Sequence, residues 1–213
     1  MNPTQAAFIT LEGIEGTGKS TNLAYIRSLF EQVGCEVAVT REPGGTPLAE
    51  EIRELLLRPR DETFSATAEL LLMFAARAQH IDTLIRPLLA KGTTVISDRF
   101  TDATYAYQGG GRGLNMQQIE QLEHLVQQGF APDLTLILTI DPVIGMARAQ
   151  RRGALDRFET EKAAFYERVQ TVYLQRAARH PDRYVVIEAS ASLDVVQTTI
   201  RTALIDRGYL PGM

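Results

Sequence analysis

The sequence predicts an α/β fold: a five-stranded open parallel sheet with helices on both faces. Three observations predict it. Five short β-rich runs recur along the chain, longer runs of helical spacing separate them, and the short runs are mostly continuous apolar stretches. Such strands belong to a parallel sheet buried on both faces, and the βαβα order supplies the crossovers that sheet requires.

The strand segments are "AFITLE", which runs directly into Gly13, then "EVAVT" (36–40), "TTVISD" (93–98), "LTLILTI" (134–140) and "YVVIEA" (184–189). The first helix starts within a glycine-rich loop, carries Leu23, Ile26, Leu29, Phe30 and Val33 at helical spacing, and stops at Gly34. A second opens at "TPLAEEIRELLL", with Thr46 as cap and Pro47 in the first helical position. The third, over 66–91, contains Pro87 and is expected to kink or end early there. A fourth runs from the capping-box-like pair Asn115 and Gln118 to Gly129, and further helices are expected over 142–152, 160–179 and 193–207.

With 213 residues, 45% of them hydrophobic, one sizeable core is available, so the chain is expected to be a single domain over 1–213. The net charge of −4 argues against a broad basic surface for nucleic acid. A small anionic ligand fits that balance better. The single cysteine, Cys35, can form no internal disulfide and has no metal-ligand spacing around it. With no basic leader and no run of eighteen apolar residues, the expectation is an unprocessed, soluble, cytoplasmic protein with no membrane partner.

The most specific string is "GIEGTGKS", which fits G-x-x-x-x-G-K-[ST] with Gly13, Gly18, Lys19 and Ser20, after a strand and at the start of a helix. Gly13, Ile14, Glu15, Gly16, Thr17, Gly18, Lys19, Ser20 and Thr21 then form a loop whose N–H groups face a polyphosphate at a helix N-terminus. In such a loop Lys19 reaches the β- and γ-phosphates of ATP and Ser20 gives its hydroxyl to Mg²⁺. Asp98, at the end of the third strand, occupies the position of a Walker-B carboxylate for Mg²⁺, although an Asp there can equally cap the next helix. The guanine-recognition signature N-K-x-D is absent, and 213 residues leave little room for helicase or transporter machinery. A small-molecule kinase is the natural reading.

Three further strings follow strands or helices. "TREPGGT" (40–46) places Arg41 and Glu42 beside two glycines that allow close approach of a ligand. Phe74 and Arg77 lie three apart on one helix face, where a flat ring beside a guanidinium suits a nucleobase. "DRFTDATYAYQGGGRG" (98–113) supplies Arg99, Thr104, Tyr107 and Gln108, and "ARAQRRGALDRFE" (147–159) gathers Arg148, Arg151, Arg152 and Arg157 as a lid that closes cations over a polyphosphate.

Together, "LEGIEGTGKST", "REPGGT", "SDRFTDATYAYQGGGRG", "APDLTLIL" and "RGALDRFE" resemble the thymidylate kinases, P-loop nucleoside-monophosphate-kinase-like enzymes, over essentially the whole chain. The resemblance implies transfer of the ATP γ-phosphoryl group to dTMP, giving dTDP and ADP with Mg²⁺, in a cytoplasmic homodimer that supplies DNA precursors. It implies that Phe74 stacks on thymine, that Arg77, Thr104 and Gln108 read its polar edge, and that Arg41, Arg53 and Arg99 grip the dTMP phosphate or orient the loop that does. It further implies that Tyr107 crowds the 2′ position, that Glu15 accepts from the 3′-hydroxyl, and that the loop from Ala189 to Ser192 borders adenine. Family members carry their catalytic arginine either in the phosphate loop or in the lid. Here Ile14, Glu15, Gly16 and Thr17 fill the variable loop positions, so the lid type is expected, with Arg148, Arg151 and Arg152 as candidates. The expected chemistry needs no covalent intermediate, only alignment of two anions and neutralisation of their repulsion.

Overall fold

Five strands pair in the order β2-β3-β1-β4-β5, every neighbouring pair parallel, in a computed structural model that describes residues 6–59, 61–151 and 162–212. They are β1 (Phe8–Glu12), β2 (Val37–Arg41), β3 (Thr94–Asp98), β4 (Leu134–Thr139) and β5 (Tyr184–Glu188). The register sets Asp98 beside both Leu11 and Arg41, and Glu12 beside Ile137. The carboxyl ends of the strands therefore form one edge from which the connecting loops rise, the usual place for ligands in such a sheet.

Side chains alternate between the sheet faces. Leu134, Leu136 and Leu138 of β4 join one cluster, with Leu23 and Ile26 of α1 (Lys19–Gln32) and Ile200 and Leu204 of α9 (Leu193–Asp206). Ile137 points to the other, with Leu56 of α2 (Pro47–Leu57), Phe74 of α3 (Ala66–His80) and Ile119 of α6 (Met116–Gln127). Val169 and Tyr173 of α8 (Ala163–Arg179) complete that second cluster. α4 (Arg86–Ala90), α5 (Thr101–Thr104) and α7 (Pro142–Gln150) are the remaining α-helices among the described residues.

The five-stranded parallel sheet agrees with the sequence reading, and four details differ. The edge strands are not buried on both faces: Val39 of β2 is 42% exposed and Val186 of β5 is 44% exposed, because each has a neighbour on one side only. α1 ends at Gln32, so Val33 is exposed and the chain turns away through Gly34 at φ 80°. Pro87 neither ends nor sharply breaks its helix. Residues Ile81–Ile85 widen to π pitch, with Arg86 N–H bonding back five residues to Ile81 O, and this turn accommodates the ring that a regular α-turn would exclude. The stretch after β3 is helical: α5 passes into a second π-helical segment, Tyr105–Gly111. Asp102 anchors that stretch, accepting from Tyr184 Oη at 2.7 Å and from Arg176.

Candidate active site

The phosphate loop leaves β1 and enters α1 in a conformation only glycines supply cheaply. Gly13, Gly16 and Gly18 have φ of 136°, 77° and 83°. A Cβ on Gly13 would lie 2.3 Å from Leu138 O, and one on Gly16 would lie 2.0 Å from Gly145 O. Thr17 ties the loop internally by donating to Ile14 O at 2.8 Å. α1 has Gly18 as its cap, no side chain on its first N–H groups, and no acidic residue in its first turn. Those N–H groups and the helix dipole are thus left facing the cleft, as anion binding requires. Lys19 Nζ lies over the loop, donating to Gly13 O and Ile14 O at 3.0 Å each. Burial and the charge of Arg99 hold its ammonium below the usual lysine range.

Glu15 is partly buried between Arg99 and Lys19. Its Oε1 accepts from Arg99 Nη2 and from Tyr107 Oη at 3.1 Å, and its Oε2 lies 3.7 Å from Lys19 Nζ. Arg99 sits at φ 71°, uncommon for a residue with a side chain, and donates through Nη1 to Gly13 O at 3.0 Å. Burial works against its charge, yet Glu15 first, then Tyr107, Tyr173 and Asp98, hold it firmly cationic. Beneath it, the fully buried Glu12 accepts from Phe100 N at 2.7 Å and from Tyr173 Oη at 2.8 Å. Burial, reinforced by Asp102, pushes the Glu12 carboxyl up to about 8.

On one side of Glu15 and Arg99 lies a cavity of about 550 Å³, with Pro43, Leu57, Met73, Phe100 and Ala103 as its apolar lining. Arg77, Thr104, Tyr107 and Gln108 supply polar atoms to the same cavity. Arg77 is 3% exposed and tightly held. Its Nε donates to Glu42 at 2.7 Å, its Nη2 to Thr104 Oγ1 at 2.9 Å and Phe100 O at 3.2 Å, and its guanidinium rests on the rings of Phe74 and Phe100. Its Nη1 is buried without a hydrogen-bond partner among the described residues. Phe74 itself is buried under Arg77, and Gln108 donates to Glu69 at 2.9 Å.

On the other side, a wider cavity of about 940 Å³ is lined by Gly16, Gly18, Lys19, Ser20 and Thr21, by Arg41 and Arg53, and by Asp98 and Arg148. Arg53 lines both cavities and donates to Pro43 O at 2.9 Å. Arg41 is exposed and paired with Glu50 at 2.8 Å. Asp98 caps no helix: the cap position of α5 is Phe100, and Asp98 Oδ1 is buried without a hydrogen-bond partner among the described residues. Arg148, on the last turn of α7, donates to Ala189 O at 3.0 Å, which brings it to the loop after β5. Arg151 follows as an exposed residue, while Arg152, Arg157 and the rest of 152–161 lie outside the described residues.

A glycine-rich anion cradle that opens onto a second, partly apolar cavity with a buried guanidinium is the geometry of a kinase acting on a nucleotide. The model of the family described as thymidylate kinase matches residues 11–200. The chain belongs to the thymidylate kinase family. It is 64% identical over 197 residues to a thymidylate kinase of Hahella chejuensis (strain KCTC 2396), covering 92% of this chain and 95% of that one. It is 58% identical to one from Pseudomonas putida (strain GB-1), covering 92% and 94%. A crystal structure of thymidylate kinase from Ehrlichia chaffeensis superposes with a TM-score of 0.77 at 32% identity, covering 93% of this chain and 98% of that one. The reaction follows from family membership: the γ-phosphoryl group of ATP passes to dTMP, giving dTDP and ADP.

Several residues of this thymidylate kinase site are not singled out by motif reading. Glu12 and Tyr173 lie under Arg99, His80 lies behind Glu42, and Gly145 packs against the phosphate loop. A signal existed for the last. Glycine inside a helix costs about 1 kcal/mol relative to alanine, so "PVIGMARAQ" asks for a packing reason. The others are ordinary core residues until the topology brings them together.

Proposed function

We propose that this cleft carries out dTMP phosphorylation with the acceptor base in the 550 Å³ cavity and the triphosphate of ATP along the glycine loop. The observation that carries this reading is the unpartnered Nη1 of Arg77, a buried cationic donor on a residue that lines this partly apolar cavity. Such a donor is costly unless a ligand acceptor completes it, and the carbonyl edge of thymine offers one. Phe74, expected to stack on thymine, is buried and absent from the cavity lining, so it acts on the base through the Arg77 guanidinium that it supports, and Thr104 and Gln108 read the rest of the base edge. Tyr107, held to Glu15, crowds the sugar 2′ position, and Glu15 takes the 3′-hydroxyl. Arg41, Arg53 and Arg99 bind the dTMP phosphate or orient the loop that does.

The acceptor phosphate oxygen is already a nucleophile, so these residues have only to align two anions and offset their repulsion. Gly13, Ile14, Gly16, Thr17, Gly18 and Thr21 shape the ATP cradle with Glu15, Lys19 and Ser20, and Lys19 follows the transferred charge. Ser20 and Asp98 fit Mg²⁺, since both line the phosphate cavity and Asp98 Oδ1 is buried without a partner among the described residues. No group of three or more His, Cys, Asp or Glu side chains among the described residues could hold a metal ion. When bound, the ion supplies neutralisation of the triphosphate charge. The catalytic arginine comes from Arg148, Arg151 or Arg152 in a lid over 147–159, within one kinase domain spanning 1–213.

The remaining readings are a homodimer and a cytoplasmic enzyme that feeds DNA synthesis. The first is carried over from the family resemblance alone. No helix among the described residues is long and apolar enough to cross a membrane. The test is a nucleotide panel with ATP: dTMP should turn over much faster than dCMP, dGMP, AMP or UMP. Comparable rates across the panel would sink the reading.

A further inference from the structure

We infer that His80 is a positioning residue for base recognition, fixing the Glu42 carboxylate and through it the direction in which Arg77 presents its donors to the pyrimidine. This rests on the reading that Arg77 faces the base. His80 is fully buried, yet both ring nitrogens are partnered: Nδ1 lies 2.9 Å from Glu42 Oε1 and Nε2 lies 2.7 Å from Thr40 Oγ1. A carboxylate only accepts, so Nδ1 carries the proton towards Glu42, while Nε2 and the Thr40 hydroxyl share the second hydrogen bond.

Glu42 is thereby gripped at two points from one helix face. Arg77 and His80 are three residues apart on α3 and take opposite oxygens, Arg77 at Oε2 and His80 at Oε1. The rings of Phe74 and Phe100, 4.9 and 5.2 Å from the guanidinium, constrain its plane. Rotation within that plane is set by Glu42 on Nε and by Thr104 and Phe100 O on Nη2. With His80 removed, Glu42 keeps one contact from α3 and its carboxylate can turn, carrying Arg77 Nη1 with it.

The surrounding backbone is built around this histidine. A Cβ on Gly45 would lie 2.5 Å from His80 Nε2 and 2.5 Å from Thr40 Oγ1, so the loop of "REPGGT" is trimmed to admit the pair. The helix changes to π pitch at the next residue, Ile81, a departure that often marks functional positions. An apolar residue would fill this space without a threonine partner or a trimmed loop. The cost of burying an imidazole is met by an ordered chain from Thr40 through His80, Glu42 and Arg77 to Thr104.

The test compares wild type with His80→Leu, His80→Asn, Thr40→Val and Arg77→Met, using dTMP and dCMP as acceptors. Steady-state rates and melting temperatures are both recorded. His80→Leu should raise KM for dTMP by about tenfold, the scale of one charge-assisted hydrogen bond, with kcat changed by less than about threefold. Selectivity for dTMP over dCMP should fall by a similar factor. His80→Asn, which keeps a donor near the Nδ1 position, should recover most of the selectivity. Thr40→Val should move selectivity in the same direction as His80→Leu while retaining the strand, which keeps the test open if the leucine variant does not fold. Unchanged selectivity in Thr40→Val and in any folded His80→Leu, alongside a loss in Arg77→Met, overturns the role of His80. Unchanged dTMP use in Arg77→Met instead overturns the reading of the base cavity on which it stands.

Discussion

Arg99 donates to Glu15 across the mouth of the phosphate loop, and Tyr107 donates to the same carboxylate oxygen. A negative charge in the middle of an anion cradle is thus offset by Arg99 and by Lys19, 3.7 Å from its other oxygen, at a point that borders both cavities of the cleft. On the proposed reading the loop N–H groups and Lys19 serve the triphosphate, while Glu15 serves the other substrate. Glu15→Gln should therefore raise KM for dTMP by about tenfold or more, the scale of a lost charge-assisted hydrogen bond, and leave ATP affinity within about threefold. Initial-rate kinetics with each substrate varied in turn checks this, and a larger effect on ATP would count against the assignment.

Gly145 gives a prediction of unusual sign. Glycine to alanine inside a helix ordinarily stabilises a protein by about 0.5–1 kcal/mol. At Gly145 the added Cβ would lie 2.7 Å from Glu15 O and 3.1 Å from Ile140 Cγ2. α7 therefore packs backbone to backbone against the phosphate loop. Gly145→Ala should destabilise the fold by about 1–3 kcal/mol of overpacking, read as a lower melting temperature, and raise KM for ATP. A stabilised variant with normal ATP use would show that the loop yields freely.

The sheet, its helices and the phosphate loop were legible because each rests on local chemistry: apolar strand runs, glycines at positive φ, and a Lys-Ser pair at a helix start. Phe74 and Arg77 were legible as a pair because helical spacing alone puts them on one face. What was not legible depends on distance along the chain. Glu12 meets Tyr173 across 161 residues, and His80 meets Glu42 across 38, so no window of sequence contains either contact. The two π-helical segments escaped for a different reason. A widened turn has the same apolar pattern as an α-helix for most of its length, and only Pro87 hinted at the first.

The arginines after β4 divide by position. Arg148 is fixed to Ala189 O, beside the loop read as bordering adenine, so Arg148→Ala should act chiefly on KM for ATP. Arg151→Ala or Arg152→Ala should lower kcat with little change in dTMP binding. A lost arginine finger costs about a thousandfold in phosphoryl transfer, and two arginines sharing the role soften each single loss. Single-turnover rates with saturating dTMP separate the two effects, and wild-type rates in the Arg151/Arg152 double variant would remove the lid assignment.

Glu12 supplies a pH prediction whose sign is fixed by its surroundings. Its pKa stands raised from an ordinary 4.5 to about 8, by burial first and by Asp102 second, with Arg99, Tyr173 and the Phe100 N–H opposing. The folded chain therefore holds this proton more tightly than the unfolded chain. The stability so contributed is fully present below about pH 4.5 and is lost as pH rises to about 8, on the order of 1 kcal/mol for each pH unit crossed. Glu12→Gln keeps the shape, accepts from Phe100 N through its amide oxygen and donates to Tyr173 Oη through its amide nitrogen, and does not titrate. Its melting temperature relative to wild type should climb as pH rises through that window and level off above it. Thermal melts at half-unit steps from pH 4.5 to 9 measure the difference, and a flat difference would mean that Glu12 is an ordinary carboxylate paired with Arg99.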